Sequence, residues 1–431
     1  LRGQSGARVA REASANLAAP LCAERGLSNP QRVAVAGALA LCALALSRMG
    51  AAGDLATIVV ALFFLVSIVV RLAATASALE ATTAPPRRAL ADRDLPRFSV
   101  VLALYKEAEV AADLVAALER IDYPRAKLEV KLVVEEEDET TRRAFEALRL
   151  PSRYEIVVAP NGRPRTKPRA LNVALPLLRG DLVVVYDAED RPEPDQLRRA
   201  AERFAAAPAR VACLQGRLAI DNAADGWIAG LFRIEYAGLF DVLNPGYAAL
   251  GLPIPLGGTS NHFRVAALRE AGGWDAWNVT EDADLGLRLA RLGYAVEALD
   301  STTHEEAPFT LRAWSGQRGR WLKGWMQTLA VHTRAPRAAW RDFGAVNALA
   351  ALGTIAGALA SALFLPVFTL RLGWDVATGE IWRFEGPLSF VAATLSLAIM
   401  ALGPIAAFAP PMLGLWRRRY WRQAPLLALL P

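Results

Sequence analysis

The chain has 431 residues, 54% of them hydrophobic and 21% charged, with three cysteines, three histidines and a net charge of +6. Cys22, Cys42 and Cys213 are too scattered for a disulfide framework or a thiolate zinc site, and so few histidines exclude a His-rich metal centre. The arginines crowd beside apolar segments and form no stripe with interleaved aromatics, so the expected partner is a lipid bilayer and no nucleic acid.

Residues 1–30 are rich in Ala and Arg without periodicity and read as a basic tail, superficially like a transit peptide. The chain opens on Leu1 and ends at Pro431 inside an apolar run, as a piece of a longer protein would. Apolar segments at 33–46 and 55–72 follow. The first reaches bilayer length only if extended to 30–49. A signal peptide is the rival reading there, disfavoured by the second span that follows at once. A basic linker at 78–97 carries Pro85, Pro86, Arg87, Arg88, Arg93 and Arg97.

From residue 98 the pattern changes. Strands are predicted at 98–104, 128–134, 154–159 and 182–186. Helices are predicted at 110–120, 141–148, 167–178 and 194–205. Four successive β-α units predict a Rossmann-like α/β domain with a mostly parallel sheet and helices on both faces. Ligands of such sheets sit at the carboxyl ends of the strands, which places Tyr105, Glu137, Asp138, Asp187 and Glu189 on one rim. Beyond it come a strand at 211–220, an amphipathic helix at 227–243, a tight loop at 257–261, a helix from Thr280 to about 292 and a strand at 294–299. Residues 308–340 place Trp314, Trp321, Trp325 and Leu329 near helical spacing, with Arg312, Arg320 and Lys323 towards another side, a pattern that suits the membrane interface.

Further spans are expected at 346–370 and 388–408, and 423–431 reads as the start of another. The basic segments fall on one side of alternating spans, so the positive-inside rule puts the large domain in the cytoplasm. The expected organisation is a tail (1–30), two membrane helices (31–77), a linker (78–97), the α/β domain (98–307), interfacial helices (308–342) and two membrane helices with the start of a third (343–431).

Three motifs carry candidate chemistry. An apolar run drives into Asp187, Glu189 and Asp190, and buried carboxylates call for a cation. The acids either bind Mg2+ or Mn2+ that neutralises a nucleotide-sugar diphosphate, or they form an acidic loop capping the helix at 194. Thr280, Glu281 and Asp282 either start a helix or supply a general base for an acceptor hydroxyl. Gln317, Arg320 and Trp321 either belong to an interfacial helix or bind phosphate and stack on an acceptor sugar. His304 could add a metal ligand and His262 could touch the acceptor, but a bystander role is the expected one for each. Cys213 reads as a buried strand residue.

Taken together, the Asp-x-Glu, Thr-Glu-Asp and Gln-x-x-Arg-Trp motifs resemble the processive family 2 glycosyltransferases, among them cellulose synthase catalytic subunits, hyaluronan synthases and bacterial exopolysaccharide synthases. The resemblance covers residues 30–425 and implies a GT-A fold inserted between membrane helices. It implies that Ala103, Tyr105, Glu107, Glu137, Asp138, Lys167, Asn172, Asp187, Gln317 and Arg320 contact the nucleotide sugar. Asp187 and Glu189 would hold Mg2+ or Mn2+, with Asp190 as the rival second ligand. Asp282, with Glu281 and Thr280, would be catalytic. Gly258, Thr259, Ser260, Asn261 and Trp321 would meet the acceptor. The family usually has Asp-x-Asp and a pair of aspartates where this chain has Asp187-x-Glu189 and Glu137-Asp138, and no cyclic-di-GMP receptor domain is recognisable. The implied activity is inverting transfer from a nucleotide sugar, UDP-glucose first, to a growing β-linked polysaccharide at the bacterial inner membrane, with export or periplasmic subunits as further partners. A transferase acting on a lipid carrier and an inactive export scaffold are the alternatives.

Overall fold

A computed structural model describes residue 17 and residues 19–47, 50–80 and 86–430. Most of the expected tail, positions 48 and 49 of the hairpin between the first two spans, Pro85 of the linker and Pro431 lie outside the described residues.

The four predicted strands form as β1 (Phe98–Leu104), β2 (Leu128–Glu135), β3 (Tyr154–Ala159) and β4 (Leu182–Tyr186). They pair in parallel in the order β3-β2-β1-β4. The helices between them, α3 (Ala111–Glu119), α4 (Glu139–Ala147) and α5 (Lys167–Ala174), complete the β-α units, two apolar segments before them being α1 (Asn29–Ser47) and α2 (Gly50–Glu80). Period-two alternation fills both sides of the sheet. Val183 and Val185 pack into one core cluster, and Leu182, Val184 and Tyr186 into the other. A strand buried on both faces must be apolar until it leaves the sheet, so the first carboxylate of β4 is Asp187, at its exit.

The second half of the sheet departs from the repeating pattern. After the short β5 (Arg191–Pro192) and α6 (Gln196–Ala206) come β6 (Val211–Ile220), α7 (Trp227–Gly238), a π-helical turn at Leu239–Leu243 and α8 (Asn244–Ala249). Strand β7 (Asn261–Arg264) then inserts antiparallel between β4 and β6. Helices α9 (Val265–Glu270) and α10 (Glu281–Arg291) lead to β8 (Ala295–Glu305), which is parallel to β6 and runs well past the predicted end at 299.

The Trp/Arg-rich stretch forms α11 (Leu311–Thr333) and α12 (Pro336–Phe343), followed by α13 (Ala345–Thr378) and α14 (Pro387–Arg418). Among the described residues α1, α2, α13 and α14 are the helices long and apolar enough to cross a membrane. Trp421–Leu429, where the start of another span is expected, forms a 3-10 helix. Nor are the residues just before α1 a loose tail. The Ala23 amide donates to Asp275 at 2.6 Å, and the Arg334 guanidinium grips the carbonyls of Pro20, Cys22 and Gly26.

The α/β domain is joined to the membrane helices by backbone-to-backbone contact. A Cβ on Gly246 of α8 would lie 1.9 Å from the Ala74 carbonyl of α2, and one on Gly414 of α14 would lie 2.5 Å from the Ala237 carbonyl carbon of α7. Small residues permit this approach. Arg418 clamps the junction with two hydrogen bonds, of 2.8 and 2.9 Å, to the buried Asp241 carboxylate. Gly246→Ala is therefore expected to cost about 1–3 kcal/mol, as overpacking does, read as a lower unfolding midpoint of the full chain in detergent. An unchanged midpoint would mean that α2 and α8 are free to separate.

Candidate active site

The site forms where the carboxyl ends of β1, β4 and β8 face the start of α10. Its centre is Lys167, the first residue of α5. Its ammonium pairs with the Asp187 carboxylate and donates to the Gly258 carbonyl at 2.8 Å. The second motif stands beside the same glycine, since a Cβ on Gly258 would lie 3.4 Å from Asp282 Oδ2. Three stretches far apart in sequence thus meet through one side chain.

Asp187 acts on a ring of acids. Burial pushes up the carboxyls of Glu107, Glu189, Asp190, Glu281, Asp282 and Glu305, and the charge of Asp187 adds to the rise in each. Glu281 and Glu305 are raised to about 8 and Asp282 to about 6. Lys167 is the cation that Glu189, Glu281, Asp282 and Glu305 share. Its own proton is held more tightly than usual, because Asp187 and then Glu281 outweigh the opposing effect of burial. Of the two motif acids, Glu281 is the more buried and the more readily protonated; Asp282 is half-buried and keeps its charge to lower pH. Asp282 is the better proton acceptor at neutral pH.

The second acid of the metal motif separates from its neighbour. Asp190 is 2% exposed and turned into the fold, where one oxygen takes the Asp187 amide at 2.7 Å and the Thr259 hydroxyl. Glu189 is at the rim beside Asp187, reaching solvent while the surrounding fold still shields its carboxyl enough to raise it. Asp187 and Glu189 are hard oxygen donors in an over-acidic site, a chemistry that fits a divalent cation. Among the described residues no three His, Cys, Asp or Glu side chains converge as a ready cage. A cation here would fill its remaining positions with ligand oxygens or water.

The β1 rim is shaped by Lys106, whose φ of +63° is unusual for a residue with a side chain. The Asp138 carboxylate holds this turn by accepting the Lys106 amide at 2.5 Å while capping α4 through the Thr141 amide. Tyr105 is exposed over Glu137, which pairs with Arg165, and Ala103 lies half-buried in β1. Glu107 donates its amide to Thr141.

Several expected contacts are spent inside the fold. Both amide atoms of Asn172 bind the Trp274 backbone and the side chain is buried, away from a nucleotide at the rim. Of the acceptor loop only Gly258 is exposed; Thr259 is committed to Asp190, Ser260 to Thr303, and Asn261 to the Gly257 carbonyl. The cause is register: Asn261 already pairs with Val185, so the loop is the start of a central strand. His262 is buried in that strand, bonded to backbone carbonyls and held down to about 4 by burial, away from any acceptor. His304 pairs with Asp221 at 3.3 Å and is no ready metal ligand.

On α11 the motif splits. Trp321 is half-buried with its ring 6.0 Å from Phe232, and Gln317 has a buried Oε1 without a partner. Arg320 is exposed and makes no ion pair among the described residues. Arg318, which sequence reasoning passed over, lies over Trp314, Trp321 and Phe232 and pairs with Glu235. Glu305 was also passed over. It bonds the Tyr236 hydroxyl at the end of β8, and the strand-end rule would have found it had the strand been drawn to its full length.

Comparison with known proteins follows this geometry. Residues 182–415, over half of the chain, match the family described as glycosyl transferase family group 2, and residues 99–259 match glycosyl transferase family 2. A probable glycosyltransferase, YdaM, of Bacillus subtilis is 24% identical over 54% of this chain and 56% of its own length. A beta-monoglucosyldiacylglycerol synthase of Trichormus variabilis is 29% identical over 54% of this chain and 50% of its own. Glucomannan 4-beta-mannosyltransferase 2 of Arabidopsis thaliana is 26% identical over 54% and 45%. The chain thus spans about half the length of the curated relatives it matches. A mannosyltransferase from Pyrobaculum calidifontis, solved with GDP-Man and Mn2+, has the same fold, with a TM-score of 0.50 at 18% identity over 84% of this chain and 99% of that one.

Carboxyls whose folded-state pKa is raised stabilise the fold below their ordinary value of 4.5 and lose that stability as pH climbs through about 8, here for Glu281 and Glu305. A bound divalent cation offsets the loss. Mn2+ should therefore raise the unfolding midpoint more at pH 8 than at pH 5 in a thermal-shift series. An equal shift at both pH values would disconnect cation binding from these acids.

Proposed function

The chain belongs to glycosyltransferase family 2 and has its GT-A fold, and from that premise we propose that it is an inverting enzyme which extends a β-linked polysaccharide from a nucleotide sugar. The observation that carries this reading is the Lys167 bridge, whose ammonium joins the Asp187 carboxylate to the Gly258 carbonyl, with the Asp282 carboxylate close to the same glycine. Such an arrangement suits a single displacement between a donor phosphate and an acceptor hydroxyl.

In this reading Asp282 takes the proton of the acceptor hydroxyl as that oxygen bonds to the anomeric carbon. The bond from that carbon to the diphosphate breaks on the opposite face, and its electron pair leaves with the phosphate. Direct displacement inverts the centre, giving a β-linkage from an α-linked donor. Lys167 and Arg320 meet the departing charge. Asp187 and Glu189 would hold Mg2+ or Mn2+, which stabilises the same charge when bound. Asp190 and Asp138 act as positioning residues, fixing the backbone of Asp187 and of Lys106.

The half-buried Trp321, with Trp314 beside the same Arg318, offers an aromatic surface for a saccharide acceptor. UDP-glucose is the proposed donor. The four apolar helices support passage of the polymer across a bacterial inner membrane, and the basic segments support a cytoplasmic catalytic domain within residues 98–307. Export subunits would receive the product. Transfer of one sugar to a glycerolipid is a second reading, favoured by the diacylglycerol product in the name of the cyanobacterial relative.

Asp282→Asn should lower transfer by about 10²–10⁴-fold while donor binding, followed by calorimetry, stays intact. Wild-type turnover should fall as pH drops through about 6, where Asp282 is protonated. Normal turnover in the variant would refute the assigned base. Product length on a sizing gel separates the two acceptors: a ladder or polymer supports chain extension, and a single-sugar lipid supports the second reading.

A further inference from the structure

A second site lies behind the catalytic helix. A cavity of about 110 Å³ opens between α10, α11, α12 and α13. Leu287, Leu329, Phe343 and Ile355 make apolar walls, and the exposed Trp340 and Leu352 stand among its lining residues. Because α13 is long and apolar enough to cross a membrane, the cavity sits at the foot of a candidate span.

Three polar side chains of α11 interrupt this apolar lining, Thr328, His332 and Thr333; the Thr333 hydroxyl is bonded to Gln31 and the Leu329 carbonyl, and the other two are tied to the catalytic helix. The Thr328 hydroxyl accepts the Asn278 amide at 2.9 Å and lies 3.4 Å from the Thr280 hydroxyl. His332 is 6% exposed, and its Nε2 meets Asp284 Oδ1 at 3.1 Å. Arg288 takes the other oxygen of Asp284. Burial works to raise the Asp284 carboxyl, but Arg288 and then His332 hold it below its usual range, so it is ionised and can only accept. His332 Nε2 therefore carries the hydrogen. In the neutral ring Nδ1 is then an acceptor, and it is buried with no partner.

The occupant that fits has an apolar body and one donor group at its polar end. Water alone would leave the apolar walls uncovered. We propose that this cavity binds a bilayer glycerolipid with two acyl chains and a free hydroxyl, the hydroxyl donating to His332 Nδ1 and one chain running along α13. Thr328 and His332 touch the bound lipid on one side and Thr280 and Asp284 on the other. The lipid thereby braces the first turn of the helix that carries Asp282. A Cβ on Gly324 would come within 2.5 Å of the Thr280 side chain, so α11 and that turn move together.

The test is photolabelling of the full chain reconstituted in phosphatidylcholine vesicles, without nucleotide sugar, so the outcome does not depend on the transfer reaction. The probe is a diacylglycerol with a diazirine in one acyl chain; the control is phosphatidylcholine carrying the same chain and no free hydroxyl. Label from the diacylglycerol should concentrate within residues 328–355 and exceed the control there by about tenfold, the worth of one buried hydrogen bond. His332→Phe should lose that preference. Leu352→Trp, which narrows the cavity without touching the polar pair, should lower label from the diacylglycerol in the same segment. Equal labelling by the two lipids, or labelling indifferent to Leu352→Trp, would overturn the proposal and leave only a general lipid shell.

Discussion

The physical constraint on which the rest depends is an excess of negative charge at the exit of a buried strand. Asp187 sits where β4 leaves the sheet, and six further carboxyls feel its charge. Carboxylates so close in a shielded site cannot all ionise unless cations join them. The fold supplies one ammonium, from Lys167, and fixes it with a carbonyl from the Gly258 loop. That loop is rigid because its other side chains are bonded inward. The loop thus positions a lysine through a backbone carbonyl and an aspartate through the Thr259 hydroxyl, and Gly258 is the part left exposed.

The parallel half of the sheet was legible in the sequence because its signal is local. Runs such as Val183-Val184-Val185 have no other stable place than a strand buried on both faces. The motif acids were legible for the same reason, as charges that interrupt such runs. The antiparallel β7 was not, since a four-residue strand after a glycine turn looks like a loop until its register with Val185 is known. That single omission placed Thr259, Ser260 and Asn261 among the expected acceptor contacts. Asn172 was misread because nothing local reveals that Trp274 needs its amide. On α11, Trp314, Arg318 and Trp321 follow helical spacing and were visible in principle, but the motif drew attention to Arg320 instead.

Helix α11 links otherwise separate parts of the molecule. Its first half carries the Arg318 stack against α7, and its second half packs Gly324 and Thr328 against the start of α10. Its final turn is bound through Arg334 to the segment before α1. A displacement of α11 therefore reaches the turn at Thr280 through packed atoms and hydrogen bonds.

The glycine contacts at Gly246 and Gly414 have a consequence for where the chemistry takes place. Backbones that touch without intervening side chains cannot slide or tilt past one another without collision. The α/β domain and the apolar helices then form one rigid unit, and the height of Asp282 relative to those helices becomes a fixed dimension. Under the proposed function an acceptor would be selected by whether its hydroxyl can reach that height, so two glycines remote from the reaction would help to decide which molecules can take part in it.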